Sequence, residues 1–256
     1  MKLFLRNILL ILLISSMTQE VISQNSTLEK FEKGASYFSS GSYQAALDSW
    51  MEIYNADYRS ATLNYNIGNA HFKLNNIPYA ILFYERAYLL DPADEDTNYN
   101  LAIAKTLIVD RFQEIPELFF VRWYNFISLI LTTNQWAKIS IISFILFLLL
   151  LSLYIYSTRY KYKVLGFWFA LTFLLISTTT FAFSARNKKL VYDSLQAIII
   201  NPLVSGKSSP DSSGTDLFVL HEGTKVTIED EVGEWYEIRL TDGNKGWIPV
   251  NSINKI

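Results

Sequence analysis

An internal repeat of 34 residues restricts the fold of this chain more than any other feature. Within residues 27–112, small and large side chains recur at that offset: Gly34, Gly68 and Ala102; Tyr37 and His71; Ala46 and Ala80; Trp50 and Tyr84. A repeat of this length is typical of two antiparallel helices, where small residues allow close approach and large ones fill the adjacent space. Since a single pair cannot bury its apolar face alone, we predict a stack of helix pairs.

The second copy of the repeat closely resembles a tetratricopeptide repeat at six signature positions: Ile67, Gly68, Ala80, Tyr84, Ala87 and Pro92. The first copy departs late, with Ile53 and Tyr58 where Ala and Pro are usual. The third copy contributes only a first helix, which begins near Asp94. The resemblance implies an α-helical tetratricopeptide-repeat solenoid over residues 24–112.

In tetratricopeptide families the first helices line a concave groove that binds peptides, so the resemblance implies a protein or peptide partner. The matching positions here are Thr62, Tyr65, Asn66, Asn69, Phe72, Tyr99 and Ile103. Asn66 and Asn69 each have an amide donor and acceptor for a peptide backbone, and the aromatic residues offer apolar contact area. The alternative is that these are ordinary solvated or capping positions on helix faces. His71 falls at an aromatic packing position, where we expect a structural role.

Two apolar runs in the middle of the chain are long enough to cross a lipid bilayer. As helices, residues 139–156 and 164–184 would extend over about 27 and 31 Å. The connector, residues 157–163, has three basic residues and no acidic one, which suits the cytoplasmic side of a membrane. We predict two transmembrane helices joined by a cytoplasmic turn.

The N-terminal segment indicates which side of the membrane the other regions occupy. Lys2 and Arg6 precede a short apolar stretch, Ile8–Ile14, and small or polar residues follow. This order is typical of a secretory signal peptide, which we predict at residues 1–23; the alternative is a buried first helix. Basic residues also follow the second apolar run, so loop charges alone do not set the orientation. Export of the N-terminus would place the repeat region and the C-terminal region on the periplasmic side of a bacterial inner membrane.

Residues 113–138, just before the first apolar run, contain apolar side chains near helical spacing: Phe119, Phe120, Trp123, Phe126, Ile127 and Ile130. Arg122 and Asn125 fall off that face. The pattern is typical of an amphipathic helix in the membrane interface, and a helix that caps the preceding domain fits nearly as well. Trp136 would act as an interface anchor under either interpretation.

Residues 190–256 have the short apolar runs of an all-β unit. The runs are 197–200, 217–220, 225–228, 235–240 and 246–250. Asp242-Gly243 predicts a tight hairpin between the last two runs, and Glu222-Gly223-Thr224 predicts another turn, because glycine tolerates positive φ. The stretch Leu203–Thr215, with several Ser, Gly and Pro residues, is predicted to be a mobile loop.

This order of strands and turns closely resembles a bacterial SH3-like domain, which implies a small all-β barrel. In peptide-binding SH3 domains the residues at the places of Trp235 and Pro249 help to form a groove for polyproline-helix ligands. Here Ser252 replaces the usual late aromatic residue, and roles in supporting the fold are the alternative for both positions. We expect Trp247 in the core. The resemblance implies peptidoglycan or partner proteins as ligands.

The chain as a whole is therefore predicted to be multidomain, and its architecture resembles the BatE type of aerotolerance-operon protein. Membership would imply a complex with other Bat membrane proteins, some of which have von Willebrand type A domains. We predict a non-catalytic, membrane-anchored scaffold that binds partners through the repeat groove and the SH3-like domain. The alternative is an envelope sensor whose SH3-like domain binds peptidoglycan.

Composition and motifs speak against catalysis. The chain has no cysteine and only two histidines, which excludes thiol chemistry and thiolate metal sites. It has no phosphate-binding, dinucleotide-binding, zinc-helix or nucleophile-elbow motif, so we predict no catalytic residue, no metal and no cofactor. Residues 27–112 have seven basic and eleven acidic side chains, and residues 190–256 have five and ten. Such acidic regions do not neutralise phosphates, which excludes nucleic acid as an expected partner.

Overall fold

The computed structural model describes residues 26–112, 116, 118–192 and 195–256. The signal peptide predicted at residues 1–23 lies outside the described residues. The described chain forms eight α-helices followed by an antiparallel sheet of seven strands. The helices are α1 (26–39), α2 (Tyr43–Asn55), α3 (Ala61–Lys73), α4 (Ile77–Leu90), α5 (Glu95–Thr106), α6 (Phe119–Leu129), α7 (Thr133–Tyr156) and α8 (Tyr160–Tyr192).

Helices α1 to α5 pack as successive neighbours, and the closest approaches fall on the repeat. Gly34 of α1 faces α2 so closely that a Cβ atom there would lie 2.4 Å from Nε1 of Trp50. Gly68 of α3 repeats this arrangement, since a Cβ atom there would lie 2.7 Å from the Tyr84 ring of α4. Only a hydrogen side chain fits at either position without movement of the ring. The 34-residue interval is therefore a packing interval.

Helices α7 and α8 form an antiparallel hairpin. Ser140 and Ser177 each donate a hydrogen bond to the other's carbonyl oxygen at 3.0 Å, and Ser184 donates to the Thr133 carbonyl at 3.1 Å. The connector is shorter than the predicted 157–163, because α8 already begins at Tyr160. Both helices also extend beyond the predicted apolar runs.

The hairpin exposes most of its apolar surface. In the most apolar 18-residue stretch, 11% of residues in α7 and 22% in α8 are buried. A core helix of a soluble protein would instead be mostly buried. By length and composition, both helices could cross a membrane.

Helix α6 packs on α8 through its polar edge. Arg186 of α8 donates to the Ser128 hydroxyl and to the Asn125 side-chain oxygen, each at 2.6 Å. The Trp136 indole donates to the Ser128 carbonyl at 2.9 Å. The aromatic face remains exposed, and Trp123 for example is 71% accessible. The helix therefore presents an apolar surface next to the hairpin.

The C-terminal sheet has the strand order β3-β2-β6-β5-β4-β1-β7. Its strands are β1 (Gln196–Ile199), β2 (Leu203–Lys207), β3 (Asp216–His221), β4 (Lys225–Val232), β5 (Trp235–Arg239), β6 (Lys245–Pro249) and β7 (Ile253–Lys255). The five runs predicted from the sequence all fall on strands. The prediction of a loop over Leu203–Thr215 is wrong at its start, because Val204 and Gly206 are buried while β2 pairs with β3.

Strand β1 is buried on both of its faces and joins the helices to the sheet. Ala197 and Ile199 belong to the core of the sheet, whereas Ile198 packs in a cluster with Ile81, Leu101 and other residues of α4 and α5. A strand covered on both sides needs consecutive apolar residues, which explains the uninterrupted run at this position. The helical region and the sheet therefore share an apolar interface.

A buried ion cluster lies at the same interface. The Glu85 side chain of α4 is 2% exposed, and Lys225 of β4 donates to its Oε2 at 2.8 Å. Lys105 of α5 lies 2.7 Å from Oε1 as an ion pair that is not aligned as a hydrogen bond. Burial alone would raise the pKa of Glu85, but the two ammonium groups together hold it below its ordinary value. The ionised carboxylate thus links three elements.

A second polar contact follows the end of α5. Asp110 Oδ2 accepts hydrogen bonds from the His221 backbone N–H and the Thr224 hydroxyl, each at 2.7 Å. Burial opposes ionisation, yet these donors and the His221 ring hold the pKa of Asp110 below its ordinary value. Beside them Gly223 has φ +85°, and a Cβ atom there would come within 2.5 Å of Ile108. The turn predicted at Gly223 is confirmed.

Candidate functional site

A cavity of about 270 Å³ opens among helices α1, α3, α4 and α5. Its lining residues are Phe38, Asn69, Phe72, Lys73, Tyr84, Asn100 and Ile103. Three of the predicted groove residues, Asn69, Phe72 and Ile103, are therefore brought together. Aromatic faces beside amide and ammonium groups are a combination that can hold an apolar side chain and contact the polar backbone next to it.

Hydrogen bonds within the protein occupy the acceptor of Asn69. The Tyr84 hydroxyl donates to Asn69 Oδ1 at 2.7 Å, and Asn100 Nδ2 donates to the same oxygen at 3.0 Å. Asn100 Nδ2 also lies 3.1 Å from the Tyr65 hydroxyl oxygen, to which it donates. Burial raises the pKa of Tyr84, which keeps its phenol protonated as a donor. A ligand in the cavity could use only the N–H groups of the Asn69 amide.

The other predicted groove residues do not line this cavity. Thr62 of α3 and Tyr99 of α5 are exposed, Tyr99 to 68%. Asn66 is half-buried on α3. Tyr65 packs beside the Tyr84 ring, with centroids 6.1 Å apart. The predicted set thus divides into cavity residues and residues on the surrounding helix faces.

Four lining residues were not predicted: Phe38, Lys73, Tyr84 and Asn100. The repeat offset would have found two of them, since Phe38 lies 34 positions before Phe72 and Asn100 lies 34 positions after Asn66. Tyr84 had been assigned to packing alone, and its hydroxyl adds a polar contact to that role.

His71 lies in the helical core and not in the cavity lining. It is 8% exposed and stacks between Tyr79 and Phe83, with ring centroids at 5.3 and 5.6 Å. Burial lowers the pKa of His71 to about 4. The expected structural role is confirmed.

A second candidate surface is the outward face of β5 and β6. Trp235 is directly opposite Pro249 in the antiparallel pairing. Trp247 lies on the same face two residues before Pro249, and all three side chains are half-buried. The prediction of Trp247 in the core is wrong, because strand alternation turns its neighbour Ile248 into the core instead. Two indoles and a proline therefore lie together, partly exposed, on one face of the sheet.

A comparison of the sequence with protein-family models agrees with the all-β fold of this region. The family model described as bacterial SH3 domain matches residues 207–254. Residues 207–254 are a bacterial SH3 domain. The match includes all of β3 to β6, while β1 of the same sheet lies outside it. No curated protein matches this chain. Membership of this region in the bacterial SH3 family fits a binding role.

The SH3 domain has a run of three acids, Glu229, Asp230 and Glu231, of which Glu229 is neutralised within the sheet. Glu229 accepts a hydrogen bond from Arg239 at 2.5 Å and forms an ion pair with Lys245. These two bonds hold the pKa of Glu229 below its ordinary value. Asp230 and Glu231 are exposed and form no ion pair among the described residues. This run therefore keeps two uncompensated acids, which offer a modest attraction to basic ligands.

Proposed function

We propose that this protein is a non-catalytic scaffold in a bacterial inner membrane, which holds protein or peptide partners next to the bilayer. The observation that carries the proposal is the bacterial SH3 domain with Trp235 and Pro249 on one outward face, because a half-buried aromatic and proline pair suits a peptide ligand. The helical region, to which this domain is attached, would offer a second binding surface on the same chain. Two modest sites on one anchor raise the effective concentration of each ligand.

Helices α1 to α5 act, in this proposal, as a short tetratricopeptide-repeat solenoid, and the cavity around Phe72 and Ile103 is its peptide groove. The recurrence of the Gly34 and Gly68 contacts supports this assignment. Helices α7 and α8 cross the membrane as a hairpin, with residues 157–159 in the cytoplasm and both binding modules in the periplasm. The exposed apolar surface of the hairpin supports insertion into lipid.

The partners in this proposal are other Bat-type membrane proteins, including those with von Willebrand type A domains. The support is the order of the predicted signal peptide, helical repeats, apolar hairpin and SH3 domain along the chain. The complex would contribute to aerotolerance or envelope stress resistance. Affinity purification of the tagged full-length protein from its native membrane, followed by mass spectrometry, tests this assignment. Recovery without any such membrane protein would contradict it.

Site-specific crosslinking tests the groove. A photoreactive residue in place of Lys73, at the rim of the cavity, should form an adduct with a protein partner in intact membranes. Ile103→Gln should remove that adduct, because it places a polar amide in the apolar part of the cavity. The matched control is Ala102→Gln, an exposed neighbour on α5 outside the cavity. Equal adduct yields in both variants would reject the groove.

The second candidate function is an envelope sensor whose SH3 domain binds peptidoglycan, which the match to a bacterial SH3 domain favours. Detergent-solubilised full-length protein can be sedimented with purified cell-wall sacculi. If the sensor is correct, the parent is retained, Trp235→Ala abolishes retention, and Leu217→Ala, an exposed control on β3, does not. This result favours the sensor when the groove captures no partner. Absence of retention in the parent would favour the scaffold.

A further inference from the structure

A cleft of about 460 Å³ lies between the helical region and the end of α8, away from both candidate surfaces. Its polar lining includes Arg59, Arg86, Asn64 and one acid, Asp57, and its apolar lining includes Leu89, Leu90, Val191 and Tyr192. Two cations beside an apolar wall are suited to a ligand that is anionic and amphiphilic. The peptide groove and the SH3 face share none of these residues.

Arg86 has a charge that the described protein residues leave uncompensated. It is half-buried, donates to the Lys255 carbonyl oxygen, and lies over the Phe83 ring at 5.0 Å. Among the described residues no carboxylate forms an ion pair with it. Burial, and secondarily the nearby charge of Arg59, lower the pKa of Arg86. A guanidinium remains protonated there. An anion in the cleft would therefore offset both its loss of hydration and the repulsion from Arg59.

Arg59 places a second guanidinium on the same aromatic ring. Its Cζ lies 3.7 Å from the centroid of Tyr54, and that of Arg86 lies 5.6 Å from it. Arg59 pairs with Asp57 at 3.1 Å, but the Asp57 side chain is 94% exposed. Such an exposed pair contributes little and is easily exchanged for another anion. Arg59 Nη1 already donates to the Tyr54 and Tyr58 carbonyl oxygens, so its Nη2, once Asp57 is exchanged, and the remaining N–H groups of Arg86 are the donors available to phosphate oxygens.

Asn64 has a buried side-chain oxygen that a polar group of a ligand could reach. The residue is 1% exposed and lines the cleft, and its Oδ1 has no hydrogen-bond partner among the residues that the structure describes. Buried amides are normally satisfied, because an unpaired buried acceptor loses its hydration without replacement. A phosphodiester has no donor for this oxygen, but a hydroxyl of a lipid headgroup could donate to it.

The position of the cleft relates it to the lipid surface. Val191 and Tyr192 end α8, about 12 Å along the helix from the end of its apolar run at Ser184. The headgroup layer on each side of a bilayer is about 5–8 Å thick, so the cleft would open just above it. A neighbouring cleft shares Leu90, Val191 and Tyr192 and adds Lys188. The cations thus continue toward the hairpin.

We propose that this cleft binds the phosphate group of an anionic phospholipid, with Arg59 and Arg86 as its donors. A lipid from the leaflet around α8 reaches the cleft with its headgroup raised about 4–7 Å above the headgroup layer, and its phosphate lies between the two guanidinium groups. The proposal rests on insertion of the hairpin into a bilayer, which belongs to the proposed function. It adds a lipid ligand that neither the groove nor the SH3 domain would recognise.

Native mass spectrometry of the full-length protein in neutral detergent tests this ligand, with phosphatidylglycerol or phosphatidylcholine added. The parent should retain phosphatidylglycerol preferentially, and Arg59→Gln and Arg86→Gln should each lower its retention about tenfold, which corresponds to about 1.4 kcal/mol. Arg59 is exposed, so its variant keeps the fold even if that of Arg86 does not. Lys33→Gln, which removes an exposed charge on α1, should retain the parent's preference.

Competition measurements distinguish a phospholipid from other anionic ligands. Displacement of phosphatidylglycerol by an equal concentration of inorganic phosphate, or by an acidic peptide, would overturn the lipid assignment. Equal retention of the two lipids, or of phosphatidylglycerol by parent and Arg variants, would also overturn it. Flotation with phosphatidylcholine vesicles tests insertion of the hairpin separately from the lipid site. A protein that does not float lacks the inserted hairpin. A protein that floats but shows no lipid preference lacks only the site.

Discussion

At the scale of single residues, burial and hydrogen bonds decide which polar side chains can act on a ligand. Asn69 and His71 lie two positions apart on α3. The Asn69 acceptor is satisfied by Tyr84 and Asn100 beside an open cavity. The His71 ring is enclosed between aromatic rings, and its buried Nδ1 has no hydrogen-bond partner within the described part of the chain. The first residue can still offer a donor to a ligand, whereas the second is a structural part of the helix pair.

His71 should make the helical region sensitive to moderately acidic pH. Its pKa is about 4 when folded against an ordinary 6.5, so the unfolded state binds the proton more readily. Stability is complete above pH 6.5 and falls as the pH drops from 6.5 to 4, by up to about 3 kcal/mol. His71→Phe should remove this loss, because phenylalanine does not titrate. Hydrogen exchange of α3 amides at pH 7.5 and 4.5 measures the difference. An equal pH response in parent and variant would contradict the prediction.

At the scale of elements, β1 and the Glu85 cluster make the sheet part of the same folded unit as α4 and α5. The apolar contribution comes from Ile198, which is fully buried among helical residues. The ion cluster fixes how the sheet is oriented on the helices, since Glu85 must contact Lys105 of α5 and Lys225 of β4 at the same time. Movement of the SH3 domain relative to the helices would expose both the apolar residue and the charge.

Glu85→Gln should loosen this interface by about 2 kcal/mol, because it removes charge-assisted contacts to two lysines that can still reach solvent. The pKa of Glu85 lies below its ordinary 4.5, so its contribution is present above pH 4.5 and is lost as the pH falls through the folded value. Hydrogen exchange of β1 amides should increase in the variant at pH 7. The increase should shrink as the pH falls through the folded pKa of Glu85, because the parent then also becomes protonated.

The matched control for this substitution is Glu52→Gln. Glu52 pairs with Lys30, but its side chain is 63% exposed. Solvent screening makes such a pair nearly neutral for stability. Faster β1 exchange in both variants would show that the effect does not come from the buried cluster.

At the scale of the whole molecule, the proposed arrangement places both binding modules on one side of the membrane and the short connector on the other. The chain has no cysteine, so single cysteines can report the side of each region. Ser212→Cys, exposed in the SH3 domain, should react with an impermeant maleimide in spheroplasts. Thr158→Cys, exposed in the connector, should react only after permeabilisation. The reverse pattern would invert the topology, and labelling of both without permeabilisation would reject the span.

The sequence by itself determined the periodic parts of this protein. The 34-residue interval located the Gly34 and Gly68 contacts, because close packing admits only small residues at such points. Short apolar runs separated by turn residues located five strands, since strands are short apolar segments that end at such residues. Positive φ at Gly223 and Gly243 was foreseen because glycine tolerates that conformation best.

The tertiary structure alone decided which residues meet across long separations. The sequence places Trp247 in the core, whereas its pairing with Glu237 of β5 places it on the outward face. Glu85 and Lys225 form one cluster although they come from different elements. The cleft of Arg59 and Arg86 also requires the end of α8. Local propensity and periodicity describe single elements, whereas these contacts depend on how elements pack, and short-range patterns do not encode that geometry.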